Sequence, residues 1–122
     1  MSGLMQFRKS WVAVCLLLLL AACDSIEERV EKHYEAGEKL FEEGKLEKAL
    51  VEYKSAISLD PQHVASRYQL GRIQELQQKH SNAITEYLRV IEIQPSNALA
   101  RIRASNILIL AGELERAEEH ID

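Results

Sequence analysis

The chain has little to cross-link or to react with. It carries two cysteines in 122 residues, and both, Cys15 and Cys23, lie near the N-terminus. They cannot supply a disulfide framework for the rest of the chain. The histidines His33, His63, His80 and His120 are scattered. None has a second His or a Cys at metal-ligand spacing, so no metal site is expected. GxSxG, HExxH, P-loop and glycine-rich nucleotide motifs are all missing, which argues against an enzyme and against a small-molecule substrate. Basic clusters are missing too. The net charge is −4, and every acidic residue lies at Asp24 or later; setting aside Arg8 and Lys9 leaves 13 basic against 19 acidic residues. An acidic body excludes a nucleic-acid partner, because phosphate binding rests on clustered Lys and Arg. No segment reads as a strand.

What is present begins with an apolar run. Val12 to Ala22 is unbroken by any charge and is preceded by Arg8 and Lys9. At 1.5 Å per residue this makes roughly 16 Å of helix, about half of a 30 Å bilayer core. A basic start, a short apolar stretch and small residues at its end read as a secretory signal. Cleavage after Ala22 in an ordinary signal would leave Leu20 at the −3 position, which fits poorly. Leu20-Ala21-Ala22-Cys23 instead resembles the lipobox of bacterial lipoproteins. That resemblance implies removal of residues 1–22, lipidation of Cys23 on sulfur and on its new N-terminus, and loss of Cys15 with the leader. Each buried CH₂ contributes about 0.8 kcal/mol, so two or more chains anchor stably. By the same resemblance Asp24 favours the inner membrane over the outer one, with the body facing the periplasm. No cofactor is expected beyond the covalent lipid.

The rest of the chain repeats itself at one constant offset, the distance from Gly37 to Gly71. AGEKLFEEGKLEKALVEYKSAISLDP from Ala36 aligns with LGRIQELQQKHSNAITEYLRVIEIQP from Leu70. Gly37 meets Gly71, Ala49 meets Ala83, Tyr53 meets Tyr87, and Pro61 meets Pro95. A third copy brings Ala117 and Gly112 into register, with Ser105 replacing the glycine of the first two. The second copy has Gln78 where the others have the turn glycine Gly44 or Gly112. The spacing resembles the tetratricopeptide repeat (TPR), an all-α solenoid of helical hairpins. The first copy matches that family's pattern at Ala36, Gly37, Gly44, Ala49, Tyr53, Ala56 and Pro61. The expected organisation is residues 23–29 as the lipidated start of the first helix, TPR 1 over 30–63, TPR 2 over 64–97 and a partial TPR 3 over 98–122.

Residue chemistry gives the pattern a cause. Mid-helix Gly37 costs about 1 kcal/mol relative to Ala, so close helix approach is its expected reason. Small Ala49 assists, and Tyr53 fills the space beside the contact. Leu46, Ala49, Leu50, Tyr53, Ala56 and Ile57 form one amphipathic stripe. Pro61 and Pro95 end their helices and push Asp60 and Gln94 out of helical conformation. Ser25-Ile26-Glu27-Glu28 forms a capping box. Helices are expected near 26–43, 46–59, 64–78, 81–93, 97–111 and 114–122.

TPR arrays hold peptides or helices on a concave surface lined by the first helix of each repeat. The resemblance carries this role to Tyr34, Glu38 and Phe41 in the first repeat, Tyr68, Arg72 and Glu75 in the second, and Asn106 in the third. Further candidates are Glu31, Glu42, Ala65 and Leu76, and Leu99, Ile102, Ile109 and Leu110 at the far end. The plain alternative is that Tyr34, Phe41 and Tyr68 only pack between helices. The Lys and Asn of the TPR subclass that grips chaperone C-termini are replaced by Tyr34, Glu38, Gln69, Leu99 and Arg103, so a chaperone-tail adaptor is not expected. A basic or amphipathic segment suits the groove better. His33 with Glu31, and the pairs Glu42-Glu43 and Glu118-Glu119, read as exposed faces.

The expectation is a membrane-anchored scaffold that mediates protein–protein contacts in the cell envelope. Envelope assembly, pilus biogenesis and exopolysaccharide or PEP-CTERM export are the settings that use such layouts. The alternative is the anchor and adaptor region of a longer envelope enzyme whose catalytic domain lies past residue 122. A chain that stops inside a repeat, with no polar capping helix after it, favours a longer parent. A cytoplasmic repeat module translated from an internal start is a third reading.

Overall fold

The structure, a computed structural model, describes residues 3–8, 11, 12, 14 and 24–119, with the backbone alone for 113–119. The lipobox, Cys23 and the side chain of Ala117 therefore lie outside the described residues. Residues 3–8 are helical, and no described helix is long and apolar enough to cross a membrane. All regular structure among the described residues is helical. The body is α1 (Ile26–Glu42), α2 (Leu46–Leu59), α3 (Val64–Leu76), α4 (His80–Ile93) and α5 (Ala98–Glu119). Each helix packs on the next, α1 with α2, α2 with α3, α3 with α4 and α4 with α5.

The capping box forms. Ser25 Oγ accepts from Glu28 N–H at 3.1 Å, and Glu28 Oε2 accepts from Ser25 N–H at 2.9 Å. The two inner turns are copies of one another. Gly44 takes φ 74°, and Gln78, at the same place in the next repeat, takes φ 60°. Lys45 N–H donates to Leu40 O at 2.9 Å, and Lys79 N–H donates to Gln74 O at 2.8 Å. These are Schellman closures, which need a left-handed residue at the turn. Gln78 bears a cost there that Gly44 avoids, because a Cβ crowds the carbonyl in that region. Gln78→Gly is expected to raise stability by about 0.5–1 kcal/mol in urea unfolding.

The other helix ends repeat as well. Asp60 and Gln94, each preceding a proline, leave the helical region at φ −133° and −130°. His63 Nδ1 accepts from Ser66 N–H, and its counterpart Asn97 Oδ1 accepts from Ala100 N–H at 3.0 Å. Pro61 and Pro95 are exposed, so they serve as terminators and not as packing residues.

The core is built on glycine against tyrosine. Tyr53 and Tyr87 are fully buried. A Cβ placed on Gly37 would lie 2.6 Å from Tyr53 Cε1, and one on Gly71 would lie 2.7 Å from Tyr87 Cε1. The glycines admit the rings themselves, a closer role than clearing the way for helix axes. Ala49 and Ala83 are fully buried beside them. One cluster joins Ala49, Tyr53, Leu70 and Ile73; the next joins Ala83, Tyr87, Val90, Ala100, Ala104 and Ile107. Ile73 and Ile107 face the preceding helix, whereas α1 has exposed Lys39 at that position. Among the described residues no helix covers that side of α1, and a polar outer face suits the end of a stack.

Repeat three departs from expectation. The sequence predicts a turn between 111 and 114, but α5 runs unbroken from Ala98 to Glu119. Gly112 is helical and is not among the positive-φ residues. The turn needs packing of a second helix to offset its closure. That packing rests on a Gly–Tyr pair in the first two repeats, and the third has Ser105 and Ile121 instead. Without it, the local preference for continuing the helix wins.

Candidate peptide-binding groove

The predicted groove residues lie in a row across α1, α3 and α5, and most are tied to one another. In the first repeat Tyr34 packs on Tyr53, with ring centroids 6.1 Å apart, and its edge meets His63 at 5.4 Å. Tyr53 OH donates to Glu38. Gln69 Nε2, on α3, donates to the same Glu38 oxygen at 2.6 Å, while Gln69 Oε1 accepts from Arg72 at 3.0 Å. The Arg72 guanidinium lies 4.8 Å from the Phe41 ring centroid, in cation–π range.

The second repeat builds the same arrangement with its charges moved. Tyr68 packs on Tyr87 at 5.7 Å. Tyr87 OH donates to Glu75 at 2.8 Å, and Arg103 on α5 donates to Glu75 at 2.9 Å and to Tyr68 OH at 3.0 Å. The carboxylate thus shifts from the Glu38 position to that of Phe41, while Arg72 takes the position of Glu38. In both repeats the acid still receives the buried tyrosine hydroxyl and a donor from the next repeat. The roles are preserved in space although the residues exchange places.

Burial sets the electrostatics. Desolvation first, then the hydrogen bond to Glu38, pushes the Tyr53 phenol well above its usual range. Desolvation and the bond to Glu75 do the same for Tyr87. Tyr34 is raised by desolvation and by the nearby Glu38 charge. The hydrogen bond to Tyr68 and the bond to Glu75 hold Arg103 charged at all ordinary pH. A phenol that stays neutral remains a donor, so both bridges persist across the physiological range.

Tyr34, Glu38, Phe41, Tyr68, Arg72 and Glu75 are half-buried, so they join repeats while presenting only part of their surface. The plain packing role holds for the ring faces of Tyr34 and Tyr68. Asn106 is exposed on α5 and does not extend the network as the first two repeats do. Glu31 and Glu42 are exposed at one end; Leu99, Ile102, Ile109 and Leu110 are more than half exposed at the other. Gln69 and Arg103, considered in the sequence only as clamp positions that do not match, turn out to bridge the repeats. His33, expected on an exposed face, contacts Glu52 at 2.7 Å. Its counterpart in the next repeat is Arg67 with Glu86 at 2.9 Å. The signal for these was available: a basic residue and, at the same separation in both repeats, an acid on the second helix. Among the described residues no group of His, Cys, Asp or Glu could hold a metal ion.

Stacked helical hairpins, with one helix of each pair contributing to a polar and aromatic row, define a repeat scaffold. Residues 37–78 match the family described as TPR repeat, and residues 64–97 match that described as tetratricopeptide repeat. Residues 37–97 are therefore tetratricopeptide repeats, the fold of a protein–protein interaction scaffold. The crystal structure of MamA is similar at 23% identity and a TM-score of 0.67, over 74% of this chain and 53% of that one. This chain thus spans about half the length of that MamA chain. The second TPR of Spaghetti (RPAP3), bound to the HSP90 peptide SRMEEVD, is similar at 22% identity and a TM-score of 0.66, over 75% of this chain and 85% of that one. Both likenesses concern the fold. No curated protein sequence matches the chain.

Proposed function

We propose that this chain is a lipid-anchored scaffold of the bacterial cell envelope, facing the periplasm and holding a protein or peptide partner along α1, α3 and α5. The observation that carries the binding role is the row itself. Aromatic and charged side chains bridge successive repeats on one side of the array, which gives an extended segment a continuous, preorganised surface. The peptide on the Spaghetti repeat supports a peptide as the class of ligand. Its acidic end does not suit this row, where Glu31 and Glu42 stand exposed and Glu38 accepts from the neutral donors Tyr53 and Gln69. A basic or amphipathic segment is the better complement.

The anchor reading rests on Leu20-Ala21-Ala22-Cys23, with Asp24 favouring the inner membrane. Asp24 is exposed and pairs with Lys32, and α1 starts at Ile26, so an anchored array would sit close to the lipid surface. Cys23→Ser is expected to abolish palmitate labelling in cells and release the protein from membranes; equal labelling of both forms would refute the anchor. Binding is tested separately. A photo-crosslinking amino acid at Tyr68 should capture a partner segment that is basic or amphipathic, and one at exposed Lys39 should not. Equal capture from both positions would sink the groove assignment.

A further inference from the structure

The two junctions between repeats use one position in two ways. Gln69 and Arg103 occupy the same place in successive repeats. Each reaches back to the acid that receives the buried tyrosine hydroxyl of the repeat before it. Arg103 donates to Glu75 at 2.9 Å, and Gln69 Nε2 donates to Glu38 at 2.6 Å. The second junction is therefore closed by an ion pair, while the first is bridged by a neutral amide. Among the described residues Glu38 is in no ion pair, and neither is Arg72.

Gln69 holds those two charges apart. Its Nε2 donates to Glu38, and its Oε1 accepts from Arg72 at 3.0 Å. Both ends of the amide are used and the side chain is only 8% exposed, so the spacer is fixed. The Phe41 ring braces Arg72 from another side. Glu38, Phe41 and Arg72 are half-buried, which leaves part of the acid and part of the base open to the groove. A half-buried charge without a counter-ion acts more strongly than a fully exposed one, because solvent and salt screen it less.

We infer that this junction is the specificity site of the groove, and that it takes an extended partner segment carrying a basic and an acidic side chain two residues apart. The inference rests on the groove reading above and narrows its ligand. The basic side chain pairs with Glu38 and the acidic one with Arg72. A lone cation at Glu38 would face Arg72 across one amide, and a lone anion at Arg72 would face Glu38 in the same way. A segment with both charges offsets both repulsions. The spacing suits it. The gap between Glu38 and Arg72 is one amide flanked by hydrogen bonds of 2.6 and 3.0 Å. Two residues of extended chain advance about 6.6 Å and place their side chains on one side. Arg103, tied to Glu75 and to Tyr68, leaves the second junction as a brace.

The test uses the full chain in mild detergent and four short acetylated, amidated peptides. They share threonine flanks and differ only at the centre: Lys-Thr-Glu, Lys-Thr-Gln, Gln-Thr-Glu and Gln-Thr-Gln. By fluorescence anisotropy, Lys-Thr-Glu should bind roughly tenfold more tightly than either singly charged peptide, the worth of one hydrogen bond to a charged group. Arg72→Gln should make Lys-Thr-Glu and Lys-Thr-Gln bind alike. Gln69→Arg, which copies the closed junction, should remove the preference for Lys-Thr-Glu over Gln-Thr-Gln while urea unfolding still shows a cooperative transition. A merely structural Gln69 would weaken all four peptides together. Lys-Thr-Gln or Gln-Thr-Glu binding as tightly as Lys-Thr-Glu would overturn the inference, as would no binding of Lys-Thr-Glu at millimolar concentration. Capture from Tyr68 in cells beside either result would leave the groove itself standing, so the two readings fail separately. The peptide series on the unsubstituted chain stands even if a variant fails to fold.

Discussion

Tyr87→Ala is expected to lower the unfolding free energy by about 3–5 kcal/mol, the cost of removing a fully buried aromatic ring. Domains of this size hold about 5–15 kcal/mol in total, so the variant should be largely unfolded under mild denaturant. The ring is fully buried between Gly71 and Tyr68 and sits in the cluster that joins α4 to α5. Truncation would leave a cavity that Gly71 cannot fill, and Glu75 would lose a donor. Tyr87→Phe keeps the ring and removes only the hydroxyl, at an expected cost of about 1–2 kcal/mol. Urea unfolding followed by circular dichroism separates the two; similar costs would mean that the hydroxyl and not the ring dominates.

The same phenol sets a pH dependence. Its folded-state value lies above the ordinary 10.0, chiefly through desolvation. The native state therefore holds the proton more tightly than the unfolded state does. Stability is full below pH 10 and falls as the pH rises past it. Tyr87→Phe should flatten part of that alkaline loss when unfolding is measured on both sides of pH 10.

Gly71→Val is the second large effect, at about 3 kcal/mol of destabilisation by overpacking. Helix propensity alone forecasts a gain for replacing a mid-helix glycine, by up to about 1 kcal/mol with alanine. Packing decides otherwise, because a Cβ at Gly71 lies 2.7 Å from Tyr87 Cε1 and 3.1 Å from Cδ1 and Cζ. That ring is buried and its hydroxyl is held by Glu75, so it cannot swing away. Gly71→Ala should still cost about 1–2 kcal/mol, as overpacking outweighs propensity. In a Tyr87→Ala background the same change should become neutral or favourable, since the truncated residue leaves room for it. A double-mutant cycle measures this coupling, and additive costs would show that the two positions do not share the contact.

The helices and most of their ends were legible because their causes are local. Ser25 and Glu28 cap α1, Pro61 and Pro95 end α2 and α4, and the repeat offset pairs Gly37 with Gly71 and Tyr53 with Tyr87. Where a cause was not local, reading by position failed. The turn expected near Gly112 does not form, because a glycine permits a left-handed residue without requiring one. His33 engages Glu52 across a helix pair, and its signal lay in the repeat and not in neighbouring residues, because Arg67 and Glu86 recur at the same separation. Phe41 and Arg72, and Glu38 and Gln69, meet between the first two repeats, and Glu75 and Tyr68 meet Arg103 between the second and third. The sequence named Glu38 and Glu75 as groove candidates without partners, and the fold shares them with Tyr53 and Gln69, and with Tyr87 and Arg103.

By itself the sequence determined the repeat, its length, the helical hairpins of the first two copies and the recurrence of Gly37 with Gly71 and Tyr53 with Tyr87, since these follow from periodicity; that each glycine admits a ring only the packing showed. Only the tertiary structure decided which charges meet. Glu38 and Glu75 sit at different positions of their repeats, yet each lies beneath a buried hydroxyl and within reach of the next repeat. The reason is physical: a long side chain covers several ångströms, so a polar partner can be supplied from more than one backbone position. A Cβ 2.6 Å from a ring has no such freedom.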